Sequence, residues 1–173
     1  MGNFCINNKN TNEKNITQFT PTIFDIDISN INRQTYTGIY KYCRFSNVYD
    51  GDTADIYFFD EFKVVRRPFR FYGYDSAEIK PLKSASNRDE IKIQAHNDLK
   101  FLSALLINSK CVVKFMDNEK YGRMMGQVWK INDSSIPEHL LMSHPELIED
   151  NNIASIMIKS GHGKPYYGGS KNH

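Results

Sequence analysis

The sequence lacks a hydrophobic span, a secretion signal and any cysteine framework. No apolar run approaches the ~20 residues that cross a bilayer, and no apolar stretch follows the first residues, so we expect neither a membrane helix nor a signal peptide. The cysteines, Cys5, Cys43 and Cys111, are scattered without a CxxC spacing. This pattern argues against a disulfide framework or a zinc site and favours a reducing compartment, so we expect an intracellular, cytoplasmic protein.

The opening "MGNFCINN" contains Gly2 followed by Cys5, a pattern that is found in proteins anchored to membranes by acylation of both residues. The myristoylation motif has Ser or Thr where this chain has Ile6, so a lipid anchor is kept only as a minor alternative. Residues 1–20 are Asn-rich and without hydrophobic period, and we expect them to be disordered. Residues 21–35 contain "IFDIDISNI", whose alternating pattern predicts an extension with an extra strand.

Charge is nearly balanced over the whole chain, with a formal net charge of +2. Its distribution is uneven. Residues 63–130 carry fourteen Lys and Arg against seven Asp and Glu, whereas residues 131–158 carry five acids and no Lys or Arg. A basic middle section attracts polyanions such as nucleic acids, although a merely solvated surface has the same composition.

The hydrophobic pattern from Tyr36 onward predicts strands first and a helix later. "TYTGIYKYCRFSNV", "TADIYFF" and "KVVRRPFRFYGY" are aromatic and β-branched runs separated by turns, which is typical of a three-strand meander. A helix is predicted from a capping box at Asn87 and Glu90 to about Asn108, and "CVVKF" and "MGQVWKI" follow as strands. Five strands with one helix after the third predict an α+β fold, an OB-fold five-stranded Greek-key barrel with appended helices.

The length of 173 residues fits one domain, and we expect a monomer. The barrel domain is predicted to span residues 36–168. It includes an acidic insert at about 134–150 with one or two short helical turns, and a last helix, "NIASIMIKSG", that ends at Gly161. The chain after this glycine is expected to be irregular, and residues 169–173 form a tail.

The stretch "NVYDGDTADIYFF" places Asp50 and Asp52 on either side of a glycine. Asp-Gly is most often a hairpin turn. An EF-hand loop starting at Asp50 does not fit, because Ala54 would occupy its fifth position and Asp55 would replace its turn glycine. The choice between an ordinary acidic turn and one side of a metal site therefore depends on other parts of the chain.

A second acidic cluster lies in "FRFYGYDSAE", where Arg70 precedes Asp75 by five residues and Glu78 follows it by three. Antiparallel pairing of this strand with "TADIYFF" would bring the end that carries Asp75 near the start that carries Asp52. Two acids at adjacent strand ends make a hard-oxygen site suited to Ca²⁺ or Mg²⁺. A surface salt bridge of Arg70 with either neighbouring acid is the alternative.

The segment "NEKYGRMMG" adds Arg123, with Lys120 and Tyr121 shortly before it. Metal-assisted phosphodiester cleavage uses a cation, guanidinium groups that stabilise charge on the phosphate, and a carboxylate that orients or deprotonates water. Arginine suits the second task, because its planar fork binds two phosphate oxygens and stays charged. The three segments together thus favour phosphodiester chemistry.

The motifs "YDGDT", "FRFYGYDSAE" and "KYGR" match, in order, those of the staphylococcal nuclease (thermonuclease) family, which the chain resembles from about Tyr36 to Tyr167. The resemblance implies an OB-fold and a Ca²⁺-dependent nuclease that cuts DNA and RNA and leaves 3′-phosphates. It implies that Asp52, Asp75 and the backbone carbonyl of Ser76 hold the metal, with Asp50 close behind them. The spacing alone does not separate Ca²⁺ from Mg²⁺ or Mn²⁺, which stay alternatives.

The resemblance also implies roles in catalysis and nucleotide binding. Glu78 would act on the attacking water, as general base or orienter, while Arg70 and Arg123 would hold the scissile phosphate. A nucleotide pocket would be lined by Lys120, Tyr121 and Tyr167.

Three departures from the family pattern are visible. Ser76-Ala77 replace a Thr-Pro pair, the acidic insert replaces a short turn, and a long basic C-terminal helix is missing. The alternative function is a catalytically inactive barrel of the same type that only binds nucleic acid. The presence of both arginines, both metal-binding aspartates and the glutamate favours the enzyme.

Overall fold

The structure is a computed structural model that describes Ser29 and residues 35–117, 122–132, 140 and 144–168, with the side chains of 145–147 excepted. The chain divides into two units between residues 34 and 35, and all elements below belong to the second. The predictions for residues 1–20, for most of the 21–35 extension, for a lipid anchor and for the tail lie outside the described residues.

Seven strands and three helical segments have described bounds in the second unit. In chain order they are β1 (Tyr40–Asp50), β2 (Thr53–Asp60), β3 (Lys63–Phe71), β4 (Gly73–Asp75), α1 (Arg88–Leu106), β5 (Lys110–Phe115), β6 (Met124–Ile131), a 3₁₀ helix (Pro145–Asn151), α2 (Ile153–Lys159) and β7 (Lys164–Tyr166). Among these helices none combines the length and apolar character that a bilayer crossing requires.

Five strands close into a barrel in the order β1-β2-β3-β6-β5. All neighbours are antiparallel except β3 and β6, which run parallel and close the barrel. The predicted α+β class and the OB-like five-stranded barrel with appended helices are therefore confirmed. Side chains of every second residue along a strand point to the same face, and on the inner face of the barrel they form the core. Ala54, Ile56 and Phe58 of β2 point inward and are buried, as are Phe69 and Phe71 of β3.

Helix α1 lies between β4 and β5, as predicted, and buries one stripe of side chains at helical spacing. Asn87 is its N-cap, but the side chain makes no capping hydrogen bond to any residue that the structure describes. The predicted capping box is therefore wrong. Asn87 has φ −109° and ψ 34°, which departs from the extended backbone that brings an N-cap oxygen to the first turn.

Residues 164–166, predicted to be irregular, form strand β7. It pairs antiparallel with β4, with Asp75 opposite Lys164 and Gly73 opposite Tyr166. The sequence "GKPYYGG" did not predict this strand, because it has only three residues and because Gly and Pro, which are common around it, are depleted in strands. This correction matters for the site, since β7 places the aromatic side chain of Tyr166 beside the strand that carries Asp75.

The last part of the acidic insert forms the 3₁₀ helix, in agreement with the predicted helical turns. Ile148 packs with Val112 and Trp129 in a small cluster of its own, and the Trp129 indole N–H donates to the Glu149 carboxylate at 2.8 Å. The insert residues from 145 onward thus cover an outer part of β5 and β6. Residues 134–139 and 141–143 lie outside the described part of the chain.

Candidate active site

The turn between β1 and β2 carries the first acidic cluster. The Asp50 carboxylate accepts a hydrogen bond from the backbone N–H of Asp52 at 3.1 Å, which stiffens the turn. Gly51 lies close to both the segment after β4 and helix α1. A Cβ atom added to Gly51 would lie 2.5 Å from the Cβ of Ser76 and 2.7 Å from the Cβ of Asp98. Glycine is therefore required here by close approach, and the turn is held directly against the segment that carries the second acidic cluster.

Arg70 joins the two predicted metal-binding carboxylates. Its Nη1 donates to Oδ1 of Asp52 at 2.9 Å and its Nη2 donates to Oδ1 of Asp75 at 2.7 Å. The antiparallel register of β2 and β3 sets Arg70 opposite Thr53, and this explains why residues far apart in the chain meet. Arg70 is 12% exposed, so the bridge is largely shielded from water. The structure thus brings together the predicted Asp52, Asp75 and Arg70.

Asp52 is the most perturbed acid of this group. Burial raises the pKa of its carboxyl to about 7, the Arg70 guanidinium pulls the pKa down, and the neighbouring Asp50 carboxylate pushes it up again. Thr53 donates its hydroxyl to Oδ1 of Asp52 at 2.9 Å, and the backbone N–H of Ser76 points at Oδ2 from 3.4 Å. Burial therefore opposes ionisation of Asp52, whereas positive charge beside it favours the carboxylate.

Arg123 reaches the same cluster from the start of β6. Its Nη1 donates to the Thr53 hydroxyl oxygen at 3.1 Å, and Thr53 in turn donates to Asp52. The parallel pairing of β3 with β6, in which Arg70 lies opposite Met125, brings the residue before β6 to this end of the barrel. Thr53 was missed by the sequence analysis, although it directly follows Asp52. It links the second arginine to the carboxylates.

Glu78 lies in the segment between β4 and α1, three residues after Asp75, and it is exposed to solvent. This segment is fastened to α1, because the backbone N–H of Ala77 donates to Oδ2 of Asp98 at 3.1 Å. The carboxylate predicted to act on water is thus carried by a short, anchored segment rather than by a long free loop.

The predicted nucleotide-binding residues have different outcomes. Lys120 and Tyr121 lie outside the described residues. The Tyr167 ring is 67% exposed and lies edge-on to Tyr72, with 5.9 Å between centroids. Its neighbour Tyr166, which the sequence analysis missed, lies with its ring centroid 5.9 Å from the Arg70 guanidinium carbon. Strand β7 therefore places one aromatic ring, that of Tyr166, at the edge of the carboxylate cluster.

A buried carboxylate lies behind the cluster. Asp98 of α1 is 1% exposed, and it accepts hydrogen bonds from Ala77 N and from the Gln94 amide at 2.7 Å. Nδ1 of His162 lies 3.0 Å from its Oδ1, and the imidazole stacks on Phe101 with centroids 4.2 Å apart. Asp98 lies three residues after buried Ala95 on α1, and this inward position is the signal that could have identified it.

We expect Asp98→Ala to lower the free energy of unfolding by about 2 kcal/mol, because it leaves the partly buried donors Ala77 N and His162 without their acceptor and removes a buried side chain. Asp98→Asn keeps one oxygen for Ala77 N and should cost less. Asp89→Ala is the matched control, because Asp89 lies on the same helix with an exposed side chain. Urea unfolding measures all three variants. Equal stability of Asp98→Ala and Asp89→Ala would contradict an anchoring role.

The donors at this end of the barrel fit a hard divalent cation. Asp50, Asp52 and Asp75 present oxygen atoms only, and because burial raises the pKa of Asp52 to about 7, a bound cation would favour its ionised form. Within the described ranges, no three His, Cys, Asp or Glu side chains form a metal-binding group. A cation here would therefore take two carboxylates and complete its shell with backbone carbonyls and water.

A scan against protein-family models finds no family that matches the chain, and no curated protein matches it in sequence. The resemblance to the staphylococcal nuclease family thus depends on the three motifs quoted above.

Proposed function

We propose that the protein is a metal-dependent nuclease of the staphylococcal nuclease type. It hydrolyses phosphodiester bonds of DNA and RNA, uses Ca²⁺, and leaves 3′-phosphate ends. One observation carries the proposal: a continuous path of hydrogen bonds runs from Arg123 through Thr53 and Asp52 to Arg70 and Asp75. Two guanidinium groups and two carboxylates meet there, from β3, from the end of β4 and from the residues just before β2 and β6, as metal-assisted cleavage of a phosphodiester requires.

The two arginines are the groups that would hold the scissile phosphate. Arg70 approaches the carboxylates from β3 and Arg123 approaches through Thr53 from the start of β6, so a phosphate between them meets positive charge from two directions. Since both groups are partly buried, their interaction with charge that develops on the phosphate oxygens is stronger than it would be in water.

The carboxylates divide the remaining tasks. Asp52 and Asp75, with the Ser76 carbonyl, would hold the cation, and Asp50 adds negative charge behind Asp52. When bound, the cation supplies Lewis-acid stabilisation of phosphate charge. Ca²⁺ is favoured by the family resemblance, and Mg²⁺ and Mn²⁺ stay alternatives. Glu78, exposed on the anchored segment, would accept the proton of the attacking water.

The direct test is incubation of purified protein with single-stranded DNA and with RNA, with Ca²⁺ alone and with Ca²⁺ plus a chelator. We expect cleavage with Ca²⁺ that the chelator abolishes. The products should carry 5′-hydroxyl ends that a polynucleotide kinase labels without prior dephosphorylation. Tight binding without cleavage under Ca²⁺, Mg²⁺ and Mn²⁺ would instead support the alternative, an inactive barrel that only binds nucleic acid.

Binding of single-stranded nucleic acid is expected to weaken as salt rises, because phosphate contacts release condensed counterions. Each phosphate contact should add about 0.7 to the slope of log affinity against log salt. Fluorescence anisotropy with Glu78→Gln, which limits cleavage, measures the slope. Arg123→Gln should reduce this slope by about 0.7, the contribution of one phosphate contact. Lys100→Gln, on the exposed side of α1, should leave the slope unchanged. An affinity independent of salt would contradict phosphate recognition.

A further inference from the structure

The pair formed by Thr53 and Arg70 at the active site begins a strip that continues along the outer face of β2 and β3. Because residues two apart in a strand share a face, the cross-strand pairs on this side are Thr53 and Arg70, then Asp55 and Pro68, then Tyr57 and Arg66, then Phe59 and Val64. The Phe59 pair lies about 20 Å from the Thr53 pair at 3.3 Å per residue. We call the part from Tyr57 to the hairpin tip, with Arg44 of β1, the outer strip.

The outer strip exposes apolar side chains that a solvated surface does not need. Phe59 is 66% exposed, Val64 is 60% exposed, and Phe62 at the hairpin tip is fully exposed. Scattered apolar residues need no explanation, but Phe59 and Val64 form a cross-strand pair, and Phe62 lies in the turn that joins their two strands. A binding function accounts for it.

Arginine side chains flank the Tyr57 ring, and because Arg66 is ion-paired with Asp55, the net positive charge beside this ring comes from Arg44. Arg44 of β1 lies opposite Tyr57, which lies opposite Arg66 of β3, so one ring stands between two arginines across three strands. The Arg66 guanidinium carbon is 5.9 Å from the Tyr57 ring centroid. Strand β3 carries four Lys and Arg residues and no acid.

The acid between the active site and the outer strip is ion-paired. Asp55 is 2% exposed and its Oδ2 accepts from Arg66 Nη2 at 2.6 Å and from Asn47 at 2.9 Å. It therefore does not oppose an approaching phosphate. The outer strip itself contains Asp60, which accepts a hydrogen bond from the Tyr36 hydroxyl at 2.6 Å, and Glu61 at the hairpin tip.

A groove of about 400 Å³ opens on the same side of the barrel. It is lined by Tyr42, Tyr57, Phe59 and Val64, with Arg44 and Lys110 among its lining residues. This size is within the roughly 300–1,000 Å³ of small-ligand pockets. An apolar, aromatic floor with cationic margins fits a nucleobase joined to its phosphates, because bases stack on aromatic rings while the backbone follows positive charge.

We infer that the outer strip binds single-stranded nucleic acid on one side of the cleavage position, with bases stacked on its aromatic rings. The inference rests on the proposed function only for the position of the scissile phosphate. Single strands are specified because a duplex keeps its bases paired and stacked on one another, out of reach of rings on a sheet surface. The register then makes the strip a continuation of the active site, since both lie on the outer face of β2 and β3.

The test measures anisotropy of labelled oligothymidylates of about 4 and about 12 nucleotides, the range that OB-folds cover, in a Glu78→Gln background. Phe59→Ser and Phe62→Ser are each expected to lower affinity for the longer oligonucleotide by about 5- to 100-fold, the scale of one lost stacking contact. Neither should change affinity for the short one, which the active site alone accommodates. Arg44→Gln should weaken binding of the longer oligonucleotide and reduce its salt dependence.

Ile93→Ser and Lys100→Gln are matched controls, because both residues are exposed on α1. They should leave affinity for both oligonucleotides unchanged. Circular dichroism checks that all variants are folded. The inference is overturned if Phe59→Ser and Phe62→Ser bind the longer oligonucleotide like the parent, or if duplex DNA or polyphosphate competes as well as the single strand.

These experiments distinguish failure of the outer-strip inference from failure of the nuclease proposal. If the protein cleaves nothing but its binding depends on Phe59 and Phe62, the outer strip stands and the nuclease proposal fails. If it cleaves and both serine variants bind normally, the nuclease proposal stands and the outer strip fails.

Discussion

Glu78→Gln is expected to lower kcat for phosphodiester hydrolysis by about 10²- to 10⁴-fold, the loss that follows removal of a positioned general base. The substitution keeps size and polarity but removes the ability to accept a proton. Because Glu78 is exposed on the segment that Ala77 anchors to Asp98, the fold should not change. Single-turnover cleavage of single-stranded DNA with Ca²⁺ measures the rate.

Glu90→Gln is the matched control, since Glu90 is an exposed glutamate in the first turn of α1. It should cleave at the parent rate. Oligonucleotide affinity should be similar for the parent and Glu78→Gln, because the lost interaction belongs to the reaction step. A Glu78→Gln rate equal to that of Glu90→Gln would remove Glu78 from the mechanism.

The barrel could be predicted from sequence because its strands are patterned locally. Alternation in "TADIYFF" gives the inward positions of β2 directly, and the stripe of Ala95, Leu102 and Leu106 gives the inward face of α1. Both signals lie within a few residues, so neither requires knowledge of distant partners. The short β4–β7 sheet is different, because each strand has three residues and is defined by its partner.

The candidate site also has residues that local sequence motifs predicted and residues that they did not. Motifs identified Asp52, Asp75 and Arg70, which the structure joins by direct hydrogen bonds. Thr53 and Tyr166 were missed, because their relation to Arg70 arises from strand register and from pairing of β4 with β7. Such contacts depend on which strands become neighbours, and the pattern within one strand does not encode this.

Asp98 shows a further limit. A charged residue on the inward face of a helix conflicts with the hydrophobic pattern, and pattern reasoning treats it as a solvated position. Its partners, Ala77 N, Gln94 and His162, come from three parts of the chain, and together they satisfy a carboxylate that would otherwise be costly to bury. Conflicts of this kind between local pattern and burial are expected near functional sites.

Arg70→Ala and Arg123→Ala are each expected to lower cleavage by a factor on the order of 10² or more, because each removes a donor to charge that develops on the phosphate. Their effects on stability should differ. Arg70 is the shared partner of Asp52 and Asp75 and is 12% exposed, so its loss leaves a buried carboxylate unpaired and should cost on the order of 3 kcal/mol. Arg123 donates to the neutral Thr53 hydroxyl, and its loss should cost only about 1 kcal/mol.

Urea unfolding without and with Ca²⁺ separates the two tasks of Arg70. A cation held by Asp52 and Asp75 would replace the lost positive charge, so Ca²⁺ should restore more stability to Arg70→Ala than to Arg123→Ala, while leaving both slow in cleavage. Arg70→Lys should recover little of either property, because one ammonium group does not reproduce the planar fork that spans two carboxylates. Equal stability of the two alanine variants would contradict the bridge, and parent-like cleavage by either would remove that arginine from phosphate binding.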